Sequence, residues 1–89
     1  MTTQPFKVAI ALFGATGDLS RRKLLPSIFH LFQEGSLKDD FAVIAVGRRD
    51  MEDADFREIA RNSINDNDKL ESLEGLEAFL QHIHYVKVS

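Results

Sequence analysis

Two runs of the chain are apolar at every position, and both stop on glycine. Val8–Phe13 reads VAIALF before Gly14, and Phe41–Val46 reads FAVIAV before Gly47. A strand with one wet face alternates apolar and polar residues, so unbroken apolar runs belong to strands covered on both faces, as in parallel sheets. Parallel neighbours need a crossover between them, and residues Gly14 to Asp40 are long enough to supply a helix with its loops. Leu24, Leu25, Ile28, Phe29, Leu31 and Phe32 make an apolar stripe at helical spacing, and Gly35 stands where a C-terminal cap is expected. The first half therefore reads strand, helix, strand.

Pro26 interrupts that helical stretch. It has no N–H, and its ring crowds the carbonyl four residues back, that of Arg22. A kink is the favoured response; a short first turn ahead of a helix starting at Pro26 is the other. Further on, Phe56, Ile59, Ala60 and Ile64 share one face of Asp53–Ile64, with acids in the first turn. Asn62–Lys69 is polar and partly a surface loop, and Leu70, Leu73, Leu76, Phe79 and Leu80 predict a short third helix weakened by Gly75. His82–Val88 alternates as a third strand should. The fold class that follows is α/β: a Rossmann-like βαβαβ unit with a parallel sheet, an incomplete half of a dinucleotide-binding domain. Such a unit leaves a sheet edge bare and a helix layer half covered, so residues 1–89 are expected to be a fragment of a longer protein.

Composition narrows the functions. At 89 residues, 44% apolar and 28% charged, the chain has the make-up of one small globular domain. Eleven Lys plus Arg against fourteen Asp plus Glu give a net charge of −3, which opposes broad nucleic-acid binding. The absence of cysteine removes disulfides, zinc-thiolate sites and thiol nucleophiles. No apolar run approaches the roughly 20 residues that span a bilayer, and MTTQPFK lacks the features of a signal peptide. A soluble, cytoplasmic protein with no membrane partner is expected.

The chemistry concentrates in Leu12-Phe13-Gly14-Ala15-Thr16-Gly17-Asp18-Leu19, which leaves a buried strand and opens a helix. Amides at a helix start lack intrahelical acceptors and stand beside the positive end of the helix dipole, which suits a phosphate. Gly14 lets the backbone reverse; Gly17 leaves room for a diphosphate or for the helix to pack on the strand. The full dinucleotide fingerprint would carry glycine at Leu12, and no Gly-Lys-Ser/Thr follows to make a P-loop. A tight turn holding no ligand remains the plainer alternative. Thr16 has two readings, a phosphate ligand or an N-cap to Asp18 or Leu19. The Asp18 carboxylate suits the dipole but repels a diphosphate, so its side chain is expected to turn away.

Gly47-Arg48-Arg49 follows the second strand, where a dinucleotide's adenosine ribose lies in this fold. An acid there would bond a free 2′-hydroxyl, whereas arginine pairs a 2′-phosphate with its planar fork. Two arginines and no acid favour NADP over NAD, with Arg48 the candidate and Arg49 left open. His82 and His84 share a strand face, but no third ligand is in sight and no metal is expected. His30 on the helix is no candidate for a catalytic base, and the basic run Arg21, Arg22 and Lys23 is too short for a nucleic-acid footprint.

Gly14–Pro26, GATGDLSRRKLLP, closely resembles the glucose-6-phosphate dehydrogenase family, whose fingerprint is Gly-x-x-Gly-Asp-Leu-Ala, then a basic cluster and Lys-x-x-Pro. Ser20 stands in the alanine slot, and the similarity runs on through PSIFHLFQEGSL and FAVIAVGRRDMEDADFRE to Tyr85. The resemblance implies oxidation of the C1 hydroxyl of glucose 6-phosphate to the lactone, with hydride passing to NADP and NAD as a possible substitute, in an enzyme expected to be homo-oligomeric at full length. It maps Gly14, Ala15, Thr16, Gly17, Asp18 and Leu19 onto the coenzyme turn, Arg48 onto the 2′-phosphate arginine, and Lys23 onto a lysine near the sugar phosphate. The family's histidine base and its aspartate partner lie beyond this sequence, so no residue here is catalytic and the chain alone is expected to be inactive. A noncatalytic nucleotide-binding or interaction module on the same turn is the alternative.

Overall fold

The computed structural model describes residues 8–37, 40–66 and 72–88. The chain runs β1 (Val8–Phe13), a π-helical turn (Ser20–Leu24), α1 (Leu25–Gln33), β2 (Phe41–Gly47), α2 (Asp53–Asn65), α3 (Leu76–Leu80) and β3 (Ile83–Lys87). All pairings are parallel and the sheet order is β1-β2-β3. Val8 pairs Phe41 and Phe13 pairs Val46, so β1 and β2 end side by side; on the other flank Ala45 pairs Tyr85 and Gly47 pairs Lys87. This is the expected incomplete half of a doubly wound sheet.

Alternation along the strands sorts the side chains onto two faces. On one, Leu12, Phe41, Val43, Ala45, Ile83 and Tyr85 join Leu25, Phe29, Phe56, Ile64, Phe79 and Leu80 from the helices in a single core. On the other, Ala9, Ala11, Phe13 and Val86 are exposed and Ile44 and Val46 half-buried, with only the small Ala42 buried. Continuous apolar runs predict strands covered on both faces; among the described residues the helices cover one.

Pro26 is accommodated by a change of hydrogen-bond spacing in place of the expected kink. Ser20–Leu24 is π-helical, the Leu25 N–H donates to Ser20 O, and Leu24 and Leu25 both keep right-handed helical torsions. Pro26 then falls in the first turn of α1, where its missing N–H costs no bond. At the far end Gly35 has φ +85°, its N–H bonds Phe32 O, and the Ser36 N–H bonds Leu31 O, closing a Schellman motif. The α2 helix begins with a capping box in which the Glu52 N–H donates to Asp55 Oδ2 at 2.9 Å. It runs one residue past Ile64 and takes in the start of the expected polar loop; residues 67–69 lie outside the described residues, as does Leu70 of the expected third helix, whose Leu73 stands outside the helix that forms. Gly75 stands before α3 with φ +84° and does not interrupt it.

Candidate functional site

The glycine turn is built around its own backbone. Gly14 leaves β1 with φ +62°, and the Gly17 N–H closes the reversal on Gly14 O at 2.8 Å. A Cβ on Gly17 would stand 3.1 Å from that carbonyl, so the second glycine is what lets the turn shut. The first helical bond then runs from the Arg21 N–H to Gly17 O at 3.1 Å. Gly17 thus takes the N-cap position, and the amides of Asp18, Leu19 and Ser20 open the helix ahead of any intrahelical donor bond. Those of the exposed Asp18 and Leu19 are the ones an anion would meet. The N-cap alternative for Thr16 is displaced by Gly17; the bond Thr16 makes here is through its carbonyl, which accepts from Arg21 Nε at 3.1 Å.

Ala15 faces inward. Its side chain is fully buried and its N–H donates to Val46 O at 3.0 Å, tying the turn to the end of β2. The amide of Ala15 is therefore spent on the scaffold, whereas Gly14, Gly17, Asp18 and Leu19 are exposed and Thr16 half-buried. The Asp18 carboxylate turns along the helix to Arg22 Nε at 3.1 Å and Arg21 Nη2 at 3.7 Å. Exposed pairs of this kind add little stability, but they direct the negative charge at two guanidinium groups and away from the amides. Ser20 carries a role that sequence did not disclose: it is buried, and its hydroxyl donates to Phe13 O at 3.4 Å, pinning the helix start to the strand end.

Because Phe13 lies beside Val46, Gly14 and Gly47 are neighbours at one end of the sheet, and Arg48 follows immediately on the exposed side. Lys23 is exposed on the π-helical turn. The segment around Arg48 is held by β3, since the Val88 N–H donates to Gly47 O at 2.8 Å and the Tyr85 hydroxyl to Arg49 O at 2.8 Å. The histidines are apart in use. His82 precedes the third strand and stacks on Phe41 with ring centroids 4.1 Å apart, its Nδ1 lying 3.0 Å from Phe41 O. His84 Nδ1 lies 3.5 Å from Asp53 Oδ2, and His30 pairs Glu34 at 2.8 Å. Among the described residues no group of three side chains is placed to hold a metal, and no helix is long and apolar enough to cross a membrane.

Residues 11–89 match the family model described as glucose-6-phosphate dehydrogenase, NAD binding domain. The chain belongs to the glucose-6-phosphate dehydrogenase family. It is 42% identical over 84 residues to the glucose-6-phosphate 1-dehydrogenase of Bacillus subtilis, covering 94% of this chain and 16% of that relative. With the Leuconostoc mesenteroides enzyme of the same name it shares 38% over 81 residues, 89% of this chain and 16% of the other. A solved glucose-6-phosphate dehydrogenase in complex with its substrate glucose-6-phosphate superposes with a TM-score of 0.81 at 29% identity, over 100% of this chain and 19% of that one. The chain thus spans about a sixth of the length of the curated family members it matches. The donor set fits the nicotinamide dinucleotide named by the family model: open amides at a helix start suit a diphosphate, and an exposed arginine stands past the adjacent strand.

Proposed function

We propose that residues 1–89 form the N-terminal part of the coenzyme-binding domain of an oxidoreductase that oxidises glucose 6-phosphate to its lactone with NADP, the catalytic and substrate-holding parts lying outside this sequence. The observation that carries the reading is the side-by-side ending of β1 and β2, which brings the glycine turn, with the open amides of Asp18 and Leu19, to the same sheet end as the Gly47-Arg48 step. When bound, the coenzyme supplies the acceptor for a hydride. The protein's part here is to bind and orient. The helix-start amides take the diphosphate, Gly14 and Gly17 keep the turn tight enough to present them, and the Arg48 fork takes the 2′-phosphate. The family resemblance assigns Lys23, exposed on the same helical segment, to the sugar phosphate. No residue of the segment accepts the substrate proton, so the 89-residue chain is expected to show no turnover.

Arg48→Ala in the full-length protein tests this reading. Removing a guanidinium from a phosphate forfeits charge-assisted bonds worth about 1.5–3 kcal/mol each, so the dissociation constant for NADP should rise about tenfold or more while that for NAD barely moves. Equal loss for the two coenzymes would remove the 2′-phosphate role, and glucose 6-phosphate oxidation by the isolated segment would remove the division of labour.

A further inference from the structure

The residues on either side of Arg48, Gly47 and Arg49, are both fastened through their carbonyls to the third-strand segment. The Gly47 carbonyl accepts the Val88 N–H at 2.8 Å, a continuation of the sheet ladder. The Arg49 carbonyl has left the ladder, and its hydrogen bond comes from a side chain: the Tyr85 hydroxyl, 2.8 Å away and 36 residues distant in sequence. Tyr85 is itself held firmly. Its ring is buried and stacks on Phe56 with centroids 5.5 Å apart, and its N–H donates to Asp53 Oδ1 at 2.8 Å. A Cβ at position 47 would come within 2.6 Å of the tyrosine hydroxyl, so glycine there leaves the hydroxyl room to reach Arg49. A strand end, a glycine and a buried tyrosine together fix the backbone on either side of one exposed arginine.

We infer that Tyr85 is a positioning residue for coenzyme choice: its hydroxyl, through the Arg49 carbonyl, sets the Arg48 backbone so that the guanidinium meets a 2′-phosphate. The inference rests on the role proposed above for Arg48 and assigns the control of that role to a residue that never touches the ligand. The ring supplies burial and the hydroxyl supplies aim. Phenylalanine keeps the first and deletes the second.

The experiment is a double-mutant cycle in the full-length protein, with NADP and NAD dissociation constants measured for the parent, Tyr85→Phe, Arg48→Ala and the double variant. Tyr85→Phe should weaken NADP by about threefold to tenfold, the value of one neutral hydrogen bond, and leave NAD unchanged. In the Arg48→Ala background the same substitution should have no further effect. The inference is overturned if Tyr85→Phe weakens both coenzymes alike, leaves both unchanged, or costs as much without Arg48 as with it. A selective loss in Arg48→Ala beside an inert Tyr85→Phe sinks only the tyrosine; an unselective Arg48→Ala sinks the coenzyme reading beneath it. Gly47→Ala approaches the same bond from the other side, forcing the hydroxyl off Arg49, and should reproduce the selective loss should Tyr85→Phe fold poorly.

Discussion

The two faces of this sheet both carry mainly apolar side chains and have different fates. Leu12, Val43, Ala45 and Ile83 lie under three helices, and Val43, Ala45 and Ile83 are sealed from solvent. On the opposite face of the same strands, Phe13 is 74% exposed and Val86 44%. Hydrophobicity in a strand records what the fold is built to cover, whereas burial records what covers it among the residues at hand. A parallel sheet whose strands read as unbroken apolar runs is coded for helices on both sides, and the described residues provide one side. The site profits from that asymmetry: the covered face holds the glycine turn and the Arg48 step rigid through Ala15, Ser20 and Tyr85.

The comparison breaks most visibly in the aromatic core. Phe79 is fully buried, with ring centroids 5.3 Å from Phe29, 5.5 Å from Phe32 and 6.2 Å from Phe41. Phe79→Ala is expected to cost about 3–5 kcal/mol, enough to unfold a domain of this size, as a loss of the cooperative transition in circular dichroism would show. A finer instrument is one substitution made twice in the same strand. Val43→Thr puts a hydroxyl into the covered face and should cost about 1–3 kcal/mol, while Val46→Thr on the open face should stay within about 0.5 kcal/mol. Urea midpoints at constant slope decide it. Equal costs would mean that the open face is covered after all.

Where the sequence spoke through local rules, the structure agrees. VAIALF and FAVIAV became β1 and β2, with β2 one residue longer, and Gly35 closed its helix because a positive φ is needed there. The helix stripe in Asp53–Ile64 and its acidic first turn located α2. The Gly14–Gly17 turn and the family were legible from the GATGDLSRRKLLP motif. What stayed hidden depends on groups far apart in the chain or on a geometry without a residue signature. The π-helical answer to Pro26 is one of many ways to lose a single N–H. Ala15 surrendering its amide to Val46, and Tyr85 reaching Arg49 across Gly47, require the register of strands that the sequence names but does not align. His82 shows the same limit, because alternation placed it on the strand while stacking on Phe41 turned it into the core's edge.

The covered face is also fastened by one charge, and acid should release it. Asp53, at the first turn of α2, accepts the Tyr85 N–H at 2.8 Å and lies 3.5 Å from His84 Nδ1. The backbone bond from Tyr85 is the main cause that holds its carboxyl below the usual range, with His84 and the more distant Arg57 adding to it. A carboxylate whose folded-state pKa is depressed stabilises the fold at pH values above its unfolded pKa of about 4, and that contribution fades as pH falls toward the lower folded value. Asp53→Asn keeps an oxygen able to accept the Tyr85 N–H and removes only the charge. Thermal midpoints at neutral pH should therefore fall by the small amount the charge contributes, and the decline below about pH 4 should be correspondingly shallower than in the parent. Asp53→Ala, which removes the acceptor as well, should lower the midpoint at every pH. An acid profile identical in the parent and in Asp53→Asn would show that the carboxylate sits at α2 for the geometry of its oxygen and not for its charge.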